Sequence, residues 1–245
     1  LSPRSLLVGG LEQLHIDSPS LDIRRSADGS WWIAGLPVSG SNNTDGRVAD
    51  WLFSQPEIAL LRGRVTWTDE TRPVESVVFD DVDLVIRNSL RGHALRLDAT
   101  PPASWGQRLS ARGIFKQPLL SRHEGQWQDW DGEAFVDLPQ VHLAELGRYV
   151  DLGVALTRGE GAMRAWVDVV DGKPTGAVAD VSLQQVQLTT RQGLEPLELS
   201  AVSGRLGAKT LAGGNQFSTE ALQFVTQDGL HWPGGNVQLQ LFAQT

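Results

Sequence analysis

No cysteine occurs among the 245 residues, which excludes disulfides, thiolate metal sites and cysteine nucleophiles and is compatible with an oxidising compartment such as a periplasm. Nowhere do 18 apolar residues run together, and the opening LSPRSLLVGG lacks the charged-then-apolar layout of a secretory signal. Basic residues are the minority: 21 Lys and Arg stand against 29 Asp and Glu, a net charge of -8, with no basic cluster. Nucleic acid is therefore not an expected partner, because its phosphates are bound by grouped Lys and Arg. Also missing are a G-x-S-x-G elbow, a P-loop, H-E-x-x-H and a dinucleotide fingerprint, and the five His are scattered. These absences remove the enzyme families built on those motifs.

What is present is period-two alternation. The 26 Gly and 12 Pro, with 40% hydrophobic residues, fit many strands and many turns rather than a helical bundle. In FDDVDLVIRN, Val82, Leu84 and Ile86 share one face while Asp81, Asp83 and Arg87 share the other, with Val85 breaking the polar side. HALRLDAT sets Leu95, Leu97 and Ala99 against Arg96, Asp98 and Thr100, and NVQLQLF sets Val237, Leu239 and Leu241 against Gln238 and Gln240. Such strands bury one side only. VADVSLQQVQLTT changes phase between Leu183 and Val186, which predicts a bulge near Gln184 and Gln185. Turns are expected at NSLRG (88–92), DGKPTG (171–176) and RQGLEP (191–196), and their shortness favours antiparallel neighbours.

Two segments read as helices. TDGRVADWLFSQPE offers Thr44 or Asp45 as an N-cap and Val48, Trp51 and Leu52 at helical spacing before Pro56, a helix near 45–54. PQVHLAELGRYVDL sets Val141, Leu143, Leu146, Tyr149 and Val150 in a stripe after Pro139, a helix near 140–150. The irregular stretch 116–132 divides the chain into a first module, 1–116, and a second, 117–245. With NVQLQLFAQT still alternating at the last residues, the chain reads as a piece of something longer.

Few residues suggest chemistry. Asp69 and Glu70 in WTDETRP follow a tryptophan, as glycosidase acids can, but adjacent acids on a strand-to-strand turn are expected to be solvated and to point apart, without the fixed separation glycoside cleavage needs. GQWQDWDGE (125–133) could stack Trp127 and Trp130 on sugar faces with Asp129, Asp131 and Glu133 on hydroxyls; the commoner use of such tryptophans is anchoring a strand entry. His15 with Asp17 on a strand face, and His142 with Glu145 on a helix face, lack a third ligand at usual spacing. The sequon-like NNT at 42–44 carries no argument.

Taken in order, GRVTWTDE, VVFDDVDLVIRN, HALRLDATPPASWGQRLSARGIF, WDGEAFVDLPQVHLAEL and GEGAMRAWVDVVDGKPTGAVADVSLQQVQL resemble the periplasmic region of the YhdP branch of the AsmA-like proteins, over about Leu21 to Leu206. Trp67 and Asp69 on one strand, His93 leading the next into Pro101, Pro102 and Gly106, and a further strand ending near Phe115 carry it most clearly. The resemblance implies a mainly β fold: a curved antiparallel sheet forming an elongated open groove of repeated strand groups, with two short helices. It implies a Gram-negative periplasmic segment, tethered to the inner membrane by an anchor outside this chain and flanked by other segments of the same long chain. Its activity would be non-enzymatic and cofactor-free. Phospholipids would be conducted between inner and outer membrane, as in bridge-like lipid transfer proteins, in support of the outer-membrane barrier. Acyl chains would then lie on Val82, Leu84, Ile86, Leu95, Leu97, Leu109, Leu183, Leu188, Leu197, Leu199, Leu239 and Leu241. Periodicity alone fits the same residues to a sandwich core facing a second sheet. The other functional readings are a carbohydrate-binding β-sandwich using 125–133 and a scaffold for outer-membrane protein assembly. An isolated groove segment is expected to aggregate through its exposed strand edges.

Overall fold

A one-sided strand must bury its apolar row against something or leave it open, and the computed structural model shows both outcomes along the same strands. It describes residues 13–39, 46–119, 125–149, 155–189 and 195–242. The chain forms two compact units. The first takes Leu1–Pro102, Arg108–Ala134 and Val169–Lys173; the second takes Ala103–Gln107, Phe135–Asp168 and Pro174–Thr245.

In the first unit, β1 (Leu14–Asp17), β2 (Ser20–Arg25), β3 (Trp31–Ile33), β4 (Leu36–Ser39) and α1 (Gly46–Ser54) precede three long strands. These are β5 (Glu57–Asp69), β6 (Val77–Asn88) and β7 (Gly92–Thr100), and β8 (Leu109–Lys116) follows them. Their order in the sheet is β8-β7-β6-β5-β2-β3-β4, with β1 also on β5. The expectation of antiparallel neighbours holds for most pairs and fails for two, since β1 and β2 both run parallel to β5. The two are successive stretches of an interrupted edge: Ser18 turns at a φ of 53°, its N–H reaches Leu61 O, and Arg64 N–H reaches Pro19 O. The long return through β3, β4 and α1 supplies the crossover that parallel pairing requires.

The strands of the second unit begin within β9 (Asp131–His142), whose first residues belong to the first unit. It continues through α2 (Leu143–Tyr149), β10 (Ala155–Val170), β11 (Lys173–Thr189), β12 (Leu197–Leu211) and β13 (Gly214–Thr226); β14 (His231–Trp232) and β15 (Val237–Phe242) complete it. The order is β9-β10-β11-β12-β13, and both β14 and β15 pair with β13. The helix expected from 140 begins at Leu143. Pro139 and Val141 are strand residues, because 139–142 keep the alternation of β9, and Val141 bridges to Gly106. The turn expected over 171–176 shrinks to Asp171 and Gly172, both at positive φ (49° and 64°), the backbone that suits a two-residue hairpin. Thr44 and Asp45, Val150 and the 191–194 part of the third turn lie outside the described residues.

Bulges bend the strands of both units. Gln185 has a φ of 51° and drops out of the register between Gln184–Ala201 and Val186–Leu199, where the phase change predicted it. Arg62, Asp81 and Ala221 are further non-glycine residues at positive φ, and the backbone groups these bulges free are taken up by side chains. Asp83 accepts from Arg62 N–H at 2.9 Å, Arg108 donates to Asp81 O at 2.6 Å, and Asn236 accepts from Ala221 N–H at 2.8 Å. A bulged strand keeps its inward set inward only if such groups are satisfied.

Candidate functional site: two apolar sheet faces

Directly paired residues lie on the same face of a sheet, so the register assembles the faces row by row. In the first unit, Leu14, Ile58, Ile86 and Leu95 form one row and Ile16, Leu60, Leu84, Leu97 and Ala111 the next. Further along come Gly63 and Val82, Ala99 and Leu109, then Leu21, Val65 and Phe79, and finally Ile33, Ile23, Trp67 and Val77. The opposite face carries ion pairs, among them Arg64–Asp80 at 2.6 Å, Arg87–Glu57 at 2.7 Å and Arg108–Asp83 at 2.9 Å. Exposed pairs of this kind contribute about 0–1 kcal/mol each, so they specify which side faces water more than they stabilise it.

In the second unit, Leu183, Val202, Phe224 and Trp232 form one row, Ala179, Leu206, Thr219 and Val237 another, and Ala177, Ala208, Phe217 and Leu239 a third. Asp180, Arg205 and Glu220 pair across the other side, where Asp180 takes two hydrogen bonds from Arg205. Those bonds from Arg205 hold the Asp180 carboxyl below its usual value.

A helix closes one end of each face. On the first, α1 brings Phe53 edge-on to His93 (5.5 Å) and to Trp130 (4.8 Å), and His93 stacks on Trp130 at 3.9 Å. Asn88 donates to Gln55 O and therefore offers its own oxygen to His93 Nδ1 at 2.8 Å, so that Nδ1 carries the proton. Burial pushes the His93 pKa down, partly opposed by the Gln117 side chain. The sequence singled out Trp51 and Leu52 of this helix; Trp51 is exposed, and Phe53 makes the ring contacts to the sheet. On the second face, Leu143 and Leu146 of α2 pack on Val141, Val181, Leu183, Val186 and Leu199.

The twelve expected lining residues divide accordingly. Val82, Ile86, Leu183 and Leu199 are buried, Leu84, Leu95, Leu97, Leu109 and Leu188 are half-buried, and Leu197, Leu239 and Leu241 are open, Leu239 at 51% exposure. Phe217, Leu206 and Val237 extend the open part. Beside Phe217, the small side chains of Ala177 and Ala208 leave a shallow depression of about 160 Å³. Among the described residues of either unit, no second sheet covers the apolar rows, and a sandwich core would need one.

The residues considered for other chemistry are placed elsewhere. Trp130 is 5% exposed inside the α1 plug and so cannot stack on a sugar with Trp127. Asp131 accepts from Asp171 N–H at the β10–β11 hairpin. His15 lies 3.8 Å from Glu57 while Asp17 pairs with Arg62. His142 ends β9 rather than sharing a helix face with Glu145, which pairs with Arg148. No cluster of three metal-ligating side chains occurs among the described residues.

Asp69 corrects the expectation of a solvated turn acid. It ends β5 at 4% exposure and accepts from Thr71 N–H (3.0 Å) and Thr71 Oγ1 (2.5 Å). Arg25 and Arg72 each approach its other oxygen to 3.9 Å. Burial alone would raise the carboxyl, but the Thr71 bonds and the two guanidinium charges outweigh it and hold the pKa below its ordinary value. Only Glu70 is exposed, and it pairs with Arg24 on the polar side. No sequence pattern marked Arg25 as a member of this cluster.

A family model described as YhdP protein matches residues 7–245. No curated protein and no solved structure matches the chain.

Proposed function

Since the chain belongs to the YhdP family and is an AsmA-like envelope protein, we propose that it is a periplasmic segment that conducts phospholipids between the inner and outer membranes and so supports the outer-membrane barrier. The observation that carries the reading is the uncovered apolar row of Ala177, Ala208, Phe217 and Leu239, flanked by Leu206 and Val237 and backed by a wet face of glutamines and ion pairs. Soluble proteins rarely leave contiguous apolar surface exposed without using it. An acyl chain laid on such a row gains about 0.8 kcal/mol for each methylene removed from water, so tails of different length and saturation are held without a specific polar contact. That non-directional grip suits passage better than storage, because no single position is bound much more tightly than the next. The role is non-enzymatic. Tethering to the inner membrane comes from an anchor outside this chain, and the outer edges of β4 and β15 take neighbouring strands of the same long protein.

The test is photo-crosslinking in intact cells with a reactive amino acid placed in the full-length protein. Leu84 and Leu239 are expected to capture phospholipid, while Asp83 and Gln238 on the opposite side do not, and neither does Leu199 under α2. Capture at none of them in a folded, correctly located protein overturns the reading; equal capture at Asp83 and Leu84 reduces it to nonspecific membrane contact.

A further inference from the structure

In the second unit the apolar rows end, on the side away from α2, at uncharged polar residues. The row after Ala208, Phe217 and Leu239 holds Thr210, its Cα partner Asn215 on β13, and Leu241 beyond it on β15. The hairpin joining Leu211 of β12 to Gly214 of β13 turns immediately past this row and keeps the two polar residues opposite each other. Both are exposed, and neither the Thr210 hydroxyl nor the Asn215 amide has a hydrogen-bond partner among the described residues. They border the depression of about 160 Å³ beside Phe217. So does Thr175, whose hydroxyl donates to Asp168 O at 3.4 Å and can still accept. No charged residue belongs to either row: Lys209, between Ala208 and Thr210, is in register with Gln216 and Gln240 on the wet side. An uncharged donor row at the end of an apolar face matches a carbonyl at the end of an alkyl chain, since an amide and a hydroxyl both donate to it. A phosphate is matched instead by the charged forks and ammonium groups that these rows lack.

We propose that Thr210 and Asn215 bind the ester carbonyls of a diacyl glycerolipid, with its glycerol in the depression beside Phe217 and its acyl chains lying back along the rows toward Val202. This deepens the lipid-conducting reading and rests on it. The dimensions fit. Val202 packs against the cluster beneath α2, and from Ala208 back to it β12 runs roughly 20 Å at about 3.3 Å per residue. A bilayer core of about 30 Å is two tails deep, so one tail of about 15 Å lies between the donor row and the α2 cluster. Because the ester linkage is common to diacyl glycerolipids of every headgroup, the site sets where the glycerol rests on the face without selecting among headgroups.

The experiment reads lipid capture by a photoreactive amino acid at Leu239, beside the depression, in the full-length protein. Two phosphatidylethanolamines are compared that share headgroup and chain length and differ only in ester or ether linkage to the glycerol. The ester lipid is expected to reach half-maximal capture at about tenfold lower concentration, the scale of one or two neutral hydrogen bonds. The double substitution Thr210→Val and Asn215→Leu is expected to abolish that preference while ether-lipid capture is retained. A diacylglycerol with the same two ester-linked chains is expected to compete as well as the ester phosphatidylethanolamine. Equal capture of the two lipids with Thr210 and Asn215 in place overturns the carbonyl site and leaves the apolar-face reading intact, a comparison that does not depend on the double variant folding. A preference that persists in the double variant, or a diacylglycerol that competes more than tenfold less well, assigns the recognition to other groups and also overturns the proposal. Capture of neither lipid overturns the site together with the reading beneath it.

Discussion

Leu199 and Leu239 carry the same side chain on the apolar side of one sheet, so truncating each to alanine asks how far that face is closed. Leu199 is 5% exposed and sits in the cluster beneath α2 with Leu183, Val186 and Leu143. Its truncation removes buried methyl groups and leaves a cavity, an expected loss of about 2–5 kcal/mol. Leu239 is 51% exposed on β15. Roughly half its transfer term, on the order of 1 kcal/mol, is at stake, and an open site leaves no cavity to add to it. Urea unfolding of the two variants, compared at midpoints with the slope checked for constancy, measures the difference. A loss of at least 1 kcal/mol more for Leu199→Ala than for Leu239→Ala is expected. Equal losses above 2 kcal/mol would mean that the face around Leu239 is packed in solution, and the argument for an open lipid path would fail.

Gly161 lies in β10 at a φ of 147°, and an added Cβ would stand 2.2 Å from Ser182 O; Gly161→Ala is expected to cost at least about 2–3 kcal/mol, seen as a lowered thermal midpoint or loss of soluble protein. His93 has its pKa depressed by burial, so the unfolded chain takes up the proton first as pH falls below about 6.5. Its contribution is present above that pH and lost below it, and His93→Gln is expected to flatten the fall in thermal midpoint between pH 7.5 and 5. Asp69 is likewise depressed, so its contribution is present above about pH 3.9 and lost beneath it. Asp69→Asn removes the anion between Arg25 and Arg72 and is expected to destabilise by about 1–3 kcal/mol at neutral pH, with a smaller loss at pH 3 than at pH 7.

Strand faces were legible because alternation is a local code: Val82, Leu84 and Ile86 read as inward from ten residues of sequence, and the slip at Gln184 and Gln185 announced a bulge. Parallel pairing of β1 and β2 with β5 was not legible, since it depends on a crossover through β3, β4 and α1 that no short window contains. At Val141 a 3.6-residue reading and a two-residue reading shared the same apolar positions, and the bridge to Gly106 decided for the strand. The lining residues were identifiable as a face, but which of them α1 and α2 would cover was not, because the covering residues Phe53 and Leu143 come from outside the strands they seal. Asp69 was misjudged for a related reason. Its neighbours in sequence are a turn, and one of them, Thr71, bonds its carboxylate, whereas the guanidinium of Arg25 comes from 44 positions earlier (69 − 25).

The bulges invert the usual distribution of tolerance to sequence change. Asp83, Arg108 and Asn236 hold bent backbone through specific hydrogen bonds, whereas the open apolar rows need only to repel water. Leucine, isoleucine, valine and methionine should interchange along those rows with little effect, while single polar residues in contact with solvent resist replacement. A saturation scan of this chain would then find its most constrained positions distributed over the wet side, and a lineage could refit its lining to a different membrane composition without redrawing the scaffold.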